Sequence, residues 1–113
     1  MSKEDAADYI ADIRNEVANL KKFTEGITFP EFKKDTMRIY ACIRSFEIIG
    51  EAAKNVPEEY KKKHPEIEWK KMAGMRDVLI HSYSGVNLDV LWKTKEERIP
   101  ILEKALAALE TKG

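Results

Sequence analysis

An apolar residue returns every three or four positions along most of this chain. Ala6, Ile10, Ile13, Val17 and Leu20 make the first such stripe, the pattern of an amphipathic helix with one face turned to a core. The spacing predicts a helix from about Lys3 to Phe23, with Ser2 as N-cap, Asp5 near the positive helix end and Gly26 as stop signal. A second stripe, Phe32, Ile39, Ile43, Phe46, Ile49 and Ala53, predicts one long helix from Pro30 to Asn55. Tyr40, Cys42 and Ile48 widen its apolar face, which marks it as a central element contacted on two sides. Gly50 lies inside that helix at a cost of about 1 kcal/mol relative to Ala. Either it lets another helix come close or it is simply tolerated, and the sequence leaves both readings open.

Pro57 to Pro65 is a charged connector with room for one short helical turn. A third helix is expected from about Glu68 to Ser82, on Trp69, Met72, Met75 and Leu79, followed by a turn at Ser84-Gly85-Val86-Asn87. The last helix is expected from Leu88 to Thr111, lined by Val90, Leu91, Ile99, Leu102, Leu106 and Leu109, with Pro100 kinking it or splitting it in two. The run from Val86 to Trp92 is β-prone but too isolated to build a sheet. The expected architecture is a single all-α domain over residues 1–113, a four-helix bundle.

Composition narrows the function. Twenty Lys plus Arg balance twenty Asp plus Glu, which argues against a protein that coats nucleic acid by bulk charge and leaves room for an enzyme with a local basic patch. The single cysteine, Cys42, excludes an intramolecular disulfide framework and a Cys-rich zinc site. His64 and His81 are too few and too far apart in sequence to suggest a metal site. No apolar run approaches the roughly 20 residues needed to cross a bilayer. The polar start Met1-Ser2-Lys3-Glu4-Asp5 does not read as a signal peptide, so a reducing, cytoplasmic compartment is expected. A small chain with one helical core is also expected to offer no deep pocket of its own.

The chemistry concentrates in Gly74-Met75-Arg76-Asp77-Val78-Leu79-Ile80-His81-Ser82-Tyr83. On a helix, Asp77 and His81 share a face, so Asp77 can accept a hydrogen bond from the imidazole and fix its tautomer. Arg76 and His81 differ by about 140° in azimuth and roughly 7.5 Å along the axis. Both reach one phosphodiester only if the long Arg side chain bends around. Arg offers a planar fork for phosphate, and His transfers protons near neutral pH. Together they can cleave RNA, with His81 taking the 2′-hydroxyl proton and Arg76 stabilising the charged phosphorane. The plainer reading is a helix end with solvated Arg76 and Asp77 and with His81 against the last carbonyls.

Several segments in order favour the first reading. Arg44-Ser45-Phe46-Glu47-Ile48-Ile49-Gly50-Glu51-Ala52, then Pro65-Glu66-Ile67-Glu68-Trp69, Met72-Ala73-Gly74-Met75-Arg76-Asp77, His81-Ser82-Tyr83 and Val86-Asn87-Leu88-Asp89-Val90-Leu91-Trp92 together resemble the HepT-type branch of the HEPN superfamily. Those proteins are toxins that pair with minimal nucleotidyltransferases. The resemblance implies a type VII toxin–antitoxin component, a metal-independent endoribonuclease that needs no cofactor and acts as a homodimer whose cleft brings two motifs together. It implies Arg76 and His81 as the catalytic pair and Asp77 as the polar residue after the motif Arg, where relatives often have Asn. Tyr83 matches the motif tyrosine, the acceptor of AMP from the partner nucleotidyltransferase. AMP there would add negative charge where a phosphodiester must sit. The alternative is a non-catalytic HEPN module that binds a nucleotide or RNA, or serves as a scaffold for that partner.

Other residues carry weaker signals. Glu51 shares a face with Glu47 and either reaches the third-helix motif to pair with Arg76 or stays a solvated carboxylate. Arg44 reads as a surface ion-pair partner, and Lys61-Lys62-Lys63 as a solvated face among Glu58, Glu59, Glu66 and Glu68. Trp69 and Trp92 read as core or dimer-contact aromatics, and Cys42 as a packed thiol.

Overall fold

The computed structural model describes residues 6–81 and 87–111, with side chains described for residues 6–76 and 87–109. These residues form seven helices: α1 (Ala6–Thr24), α2 (Phe29–Lys33), α3 (Thr36–Asn55), α4 (Glu58–Lys63), α5 (Trp69–His81), α6 (Leu88–Glu97) and α7 (Ile99–Thr111). Four long runs, α1, α3, α5 and α6 with α7, make the all-α bundle that the apolar period predicts. Among the described residues, no helix is long and apolar enough to cross a membrane. The expected caps Ser2 and Asp5 and the turn residues Ser84, Gly85 and Val86 lie outside the described residues.

α3 is the centre of the bundle, packed by α1 on one flank and by α5 on the other. Cys42, Phe46, Ile49 and Ala53 recur at four-, three- and four-residue steps and are buried. They meet Ile10, Ile13, Val17 and Leu20 of α1, Met72 of α5, and Leu91, Ile99, Leu102, Leu106 and Leu109 of the last run in one core. On the α1 flank, the buried Ser45 hydroxyl donates to Glu16 Oε1 at 2.8 Å, and Asn19 Nδ2 donates to the same oxygen at 3.2 Å. These bonds compensate for placing polar groups at a helix contact.

The helix expected from Pro30 to Asn55 is in fact two. Thr28 and Glu31 form a capping box that starts α2, the Thr28 side chain accepting from Glu31 N and the Glu31 carboxylate from Thr28 N at 2.9 Å. Pro30 occupies the first turn, where no backbone donor is needed. Asp35 then takes an extended conformation and caps α3, accepting from Arg38 N at 3.1 Å and from Arg38 Nε at 2.9 Å. Arg38 Nη1 donates to the Phe23 carbonyl at 2.7 Å, tying this corner to the end of α1. The local cap overrides a hydrophobic period that runs across it. Phe32 therefore sits on α2, fully buried, with its ring centroid 5.0 Å from that of Trp92. A further difference concerns Tyr40: it is 68% exposed, so the apolar face of α3 is narrower than expected.

The last run divides at one residue. Arg98 links α6 to α7 with φ −93° and ψ −35°, its N–H bonded to the Thr94 carbonyl, and Pro100 falls in the first turn of α7. Gly26, the predicted stop after α1, has φ 74°, a left-handed conformation that glycine adopts without steric cost.

Candidate active site at the contact of α3 and α5

Arg76 lies where α5 crosses α3, and Gly50 makes that crossing close. A Cβ at position 50 would stand 2.6 Å from Arg76 Cβ, 3.2 Å from Arg76 N and 3.3 Å from the Ala73 carbonyl oxygen. No side chain fits there, so glycine lets the two backbones approach at the level of Arg76. Of the two readings left open for Gly50, the structure selects close approach.

The next residue of α3, Glu51, reaches the same arginine: Arg76 Nε is 3.9 Å from Glu51 Oε2. The Arg76 side chain is 35% exposed and that of Glu51 56%. This separation makes a loose ion pair in contact with solvent, worth at most about 1 kcal/mol. A solvent-accessible guanidinium can also take a phosphate, whose geometry matches its planar fork. The pairing of Glu51 with Arg76 is the reading the structure supports over a solvated carboxylate.

Asp77 and His81 follow Arg76 on α5, with His81 as its last residue. Their side chains are not among those described, and Tyr83 lies outside the described residues. The structure thus brings Glu51, Gly50 and Arg76 together and places the His81 backbone on the same helix as Arg76.

The remaining candidates sort as surface or core. Arg44 Nη1 pairs with Glu47 Oε1 at 3.3 Å while 65% exposed. Lys61 Nζ is 4.0 Å from Glu58 Oε2. Trp69 is buried, and its indole N–H donates to the His64 carbonyl at 2.9 Å. Trp92 packs on Phe29 and Phe32, with Lys95 Nζ 3.9 Å from its ring centroid. Cys42 is fully buried, and burial raises its thiol pKa to about 11 despite the nearby charges of Lys95 and Arg38. Such a thiol is a packed, protonated group.

An open cavity of about 360 Å³ lies between α3, α5 and α6. Phe46, Met75 and Leu91 supply apolar walls, and Lys71 and Arg98 are its cations. Both cations pair with Glu68, at 3.5 and 3.4 Å. Arg76 does not line this cavity. The sequence offered no sign of it, because the absence of a side chain at Gly74 matters only once α6 stands opposite.

The chain is similar to known proteins over most of its length. A family model described as "Ribonuclease HepT-like" matches residues 13–109. The chain is 48% identical over 101 residues to "Probable ribonuclease HepT" of Thermococcus cleftensis, covering 89% of this chain and 92% of that protein. It is 48% identical over 96 residues to "Putative RNase TTE0752" of Caldanaerobacter subterraneus, covering 85% and 86%. It is 42% identical over 100 residues to "Putative RNase MJ0127" of Methanocaldococcus jannaschii, covering 88% and 83%. No solved structure matches the chain.

Proposed function

The chain belongs to the HepT-like ribonuclease family, and on that premise we propose that it is a metal-independent endoribonuclease, the toxin of a type VII toxin–antitoxin pair. Arg76 binds the scissile phosphodiester. His81 takes the proton of the adjacent 2′-hydroxyl, whose oxygen attacks phosphorus, and Arg76 stabilises the added negative charge of the phosphorane. The bond to the 5′-oxygen breaks, leaving a 2′,3′-cyclic phosphate, and that oxygen takes a proton from water as it leaves. Asp77 orients His81. Two copies of the motif face one another across a homodimer cleft and form a site that one copy lacks. A partner nucleotidyltransferase silences the site by transferring AMP to Tyr83, where the added charge repels the RNA phosphate.

The observation that carries this reading is the position of Arg76. It is a partly exposed side chain on the helix that bears His81, positioned at its Cβ by the Gly50 notch, with Nε 3.9 Å from Glu51 Oε2. That combination suits an anion-binding group: the backbone is positioned and the side chain reaches solvent.

The test is RNA cleavage by the purified chain in EDTA, beside Arg76→Ala and His81→Ala. Wild type is expected to cut and each variant to lose about 100-fold or more. A His81→Ala protein that cuts at the wild-type rate overturns the mechanism. Binding without cleavage by wild type replaces it with the non-catalytic module. For Tyr83, intact mass after co-expression with the nucleotidyltransferase is expected to rise by whole AMP units; an unchanged mass removes the modification.

A further inference from the structure

The open cavity of about 360 Å³ lies on the side of α5 that carries Lys71, Gly74 and Met75. These residues stand three and four positions apart, so they share one helix face. Val90, Thr94 and Arg98 follow at four-residue steps on the other wall, with Arg98 as the C-cap of α6. Gly74 supplies the room: a Cβ there would meet no atom within 4 Å. Phe46, Met75, Val90 and Leu91 make the walls apolar. The polar groups are of one kind. The Thr94 hydroxyl already donates to the Val90 carbonyl at 2.8 Å, so the side-chain donors left among the described lining residues are Lys71 and Arg98, both cations.

We infer that this cavity binds a small apolar monocarboxylate, with its carboxylate between Lys71 and Arg98 and its body over Gly74. The molecule carries a template for the head group. The Glu68 carboxylate bridges the two cations, with Oε2 3.5 Å from Lys71 Nζ and Oε1 3.4 Å from Arg98 Nη1. Both distances exceed the roughly 2.7–2.9 Å of a strong charge-assisted bond, and all three side chains reach solvent. Such a bridge contributes little to stability, so a ligand carboxylate displaces that of Glu68 at small cost. The body of the ligand follows from the walls. Apolar surface leaves water on entering them, and the flexible Met75 side chain adapts to its shape. Size follows from the volume: at about 30 Å³ per water, the cavity holds roughly a dozen non-hydrogen atoms, near the lower end of small-molecule sites. The site is independent of the ribonuclease reading, since Arg76 does not line it.

Calorimetric titration of the full chain with 4-phenylbutyrate, an acid of that size, tests it. A dissociation constant on the order of 100 μM is expected. The neutral 4-phenylbutyramide, nearly the same in shape, is expected to bind about ten-fold or more weakly. Gly74→Leu fills the space without a clash at Cβ and suits a helix better than glycine; it is expected to keep its helical circular dichroism and to lose binding. Glu68→Gln frees both cations and is expected to tighten binding about three-fold, and Lys71→Met to weaken it by about as much. Absence of saturation by roughly 5 mM, or an unchanged affinity in Gly74→Leu, overturns the site. An amide that binds as well as the acid overturns the carboxylate, as does weaker binding to Glu68→Gln. Affinity that falls as protein concentration rises would mean that a second copy fills the cavity, and the small-molecule site is then withdrawn.

Discussion

Gly50 of α3 and Arg76 of α5 are in contact through the space a side chain would have filled: a Cβ on Gly50 would lie 2.6 Å from Arg76 Cβ. The atom it meets is the Cβ of Arg76, fixed to the helix backbone, so relief requires one helix to move. Gly50→Ala is therefore expected to destabilise the fold by about 1–3 kcal/mol, the cost of overpacking, despite alanine's better helix propensity. Thermal unfolding reads the loss. Cleavage of RNA should fall with it, because the displaced element carries Arg76. A variant as stable as wild type contradicts the notch.

Phe32 joins α2 to α6 by its contact with Trp92 and is fully buried. Phe32→Ala should cost about 3–5 kcal/mol, as for other large aromatic truncations. Chemical denaturation measures it. A loss below about 1 kcal/mol would show that α2 is a surface appendage and does not anchor α6.

Glu51→Gln removes the negative charge beside Arg76 and little else. Stability should change by no more than about 0.5 kcal/mol, since the ion pair is loose and solvated. RNA affinity, measured in a His81→Ala background to prevent cleavage, should rise. A fall in affinity would mean that Glu51 holds Arg76 in its binding position and does not compete with phosphate.

Cys42 should behave as a sealed thiol. Its pKa is raised from 9.0 to about 11 by burial, so the folded state favours the protonated form. The unfolded chain then releases this proton first as pH rises, and the stability contributed by Cys42 is fully present below pH 9 and declines toward pH 11. Alkylation of the native protein at pH 8 should be slow and should accelerate on unfolding. Equal rates in both states would contradict the burial.

The bundle was legible because its core residues keep helical spacing within each segment. Val17, Phe46, Met72 and Leu106 could be placed inside from local pattern alone, and Pro100 announced the break in the last run. The boundary at Lys34 and Asp35 was hidden because the apolar period continues through it, and a single side-chain cap decided the outcome. Tyr40 misled for a related reason: an aromatic ring beside an apolar stripe reads as core until the stripe's partners are known.

The amino-acid sequence by itself determined the helices, the apolar faces they turn inward and the order of motifs that places the chain among HepT-like ribonucleases, since each depends on residues near one another in the chain. Tertiary structure alone decided what Gly50 and Glu51 do. A glycine in a helix is a cost until another backbone occupies the space it leaves, and a carboxylate is solvated until a guanidinium comes within reach. Both depend on α5 crossing α3 at one particular level, a distance in space that no spacing along the chain encodes.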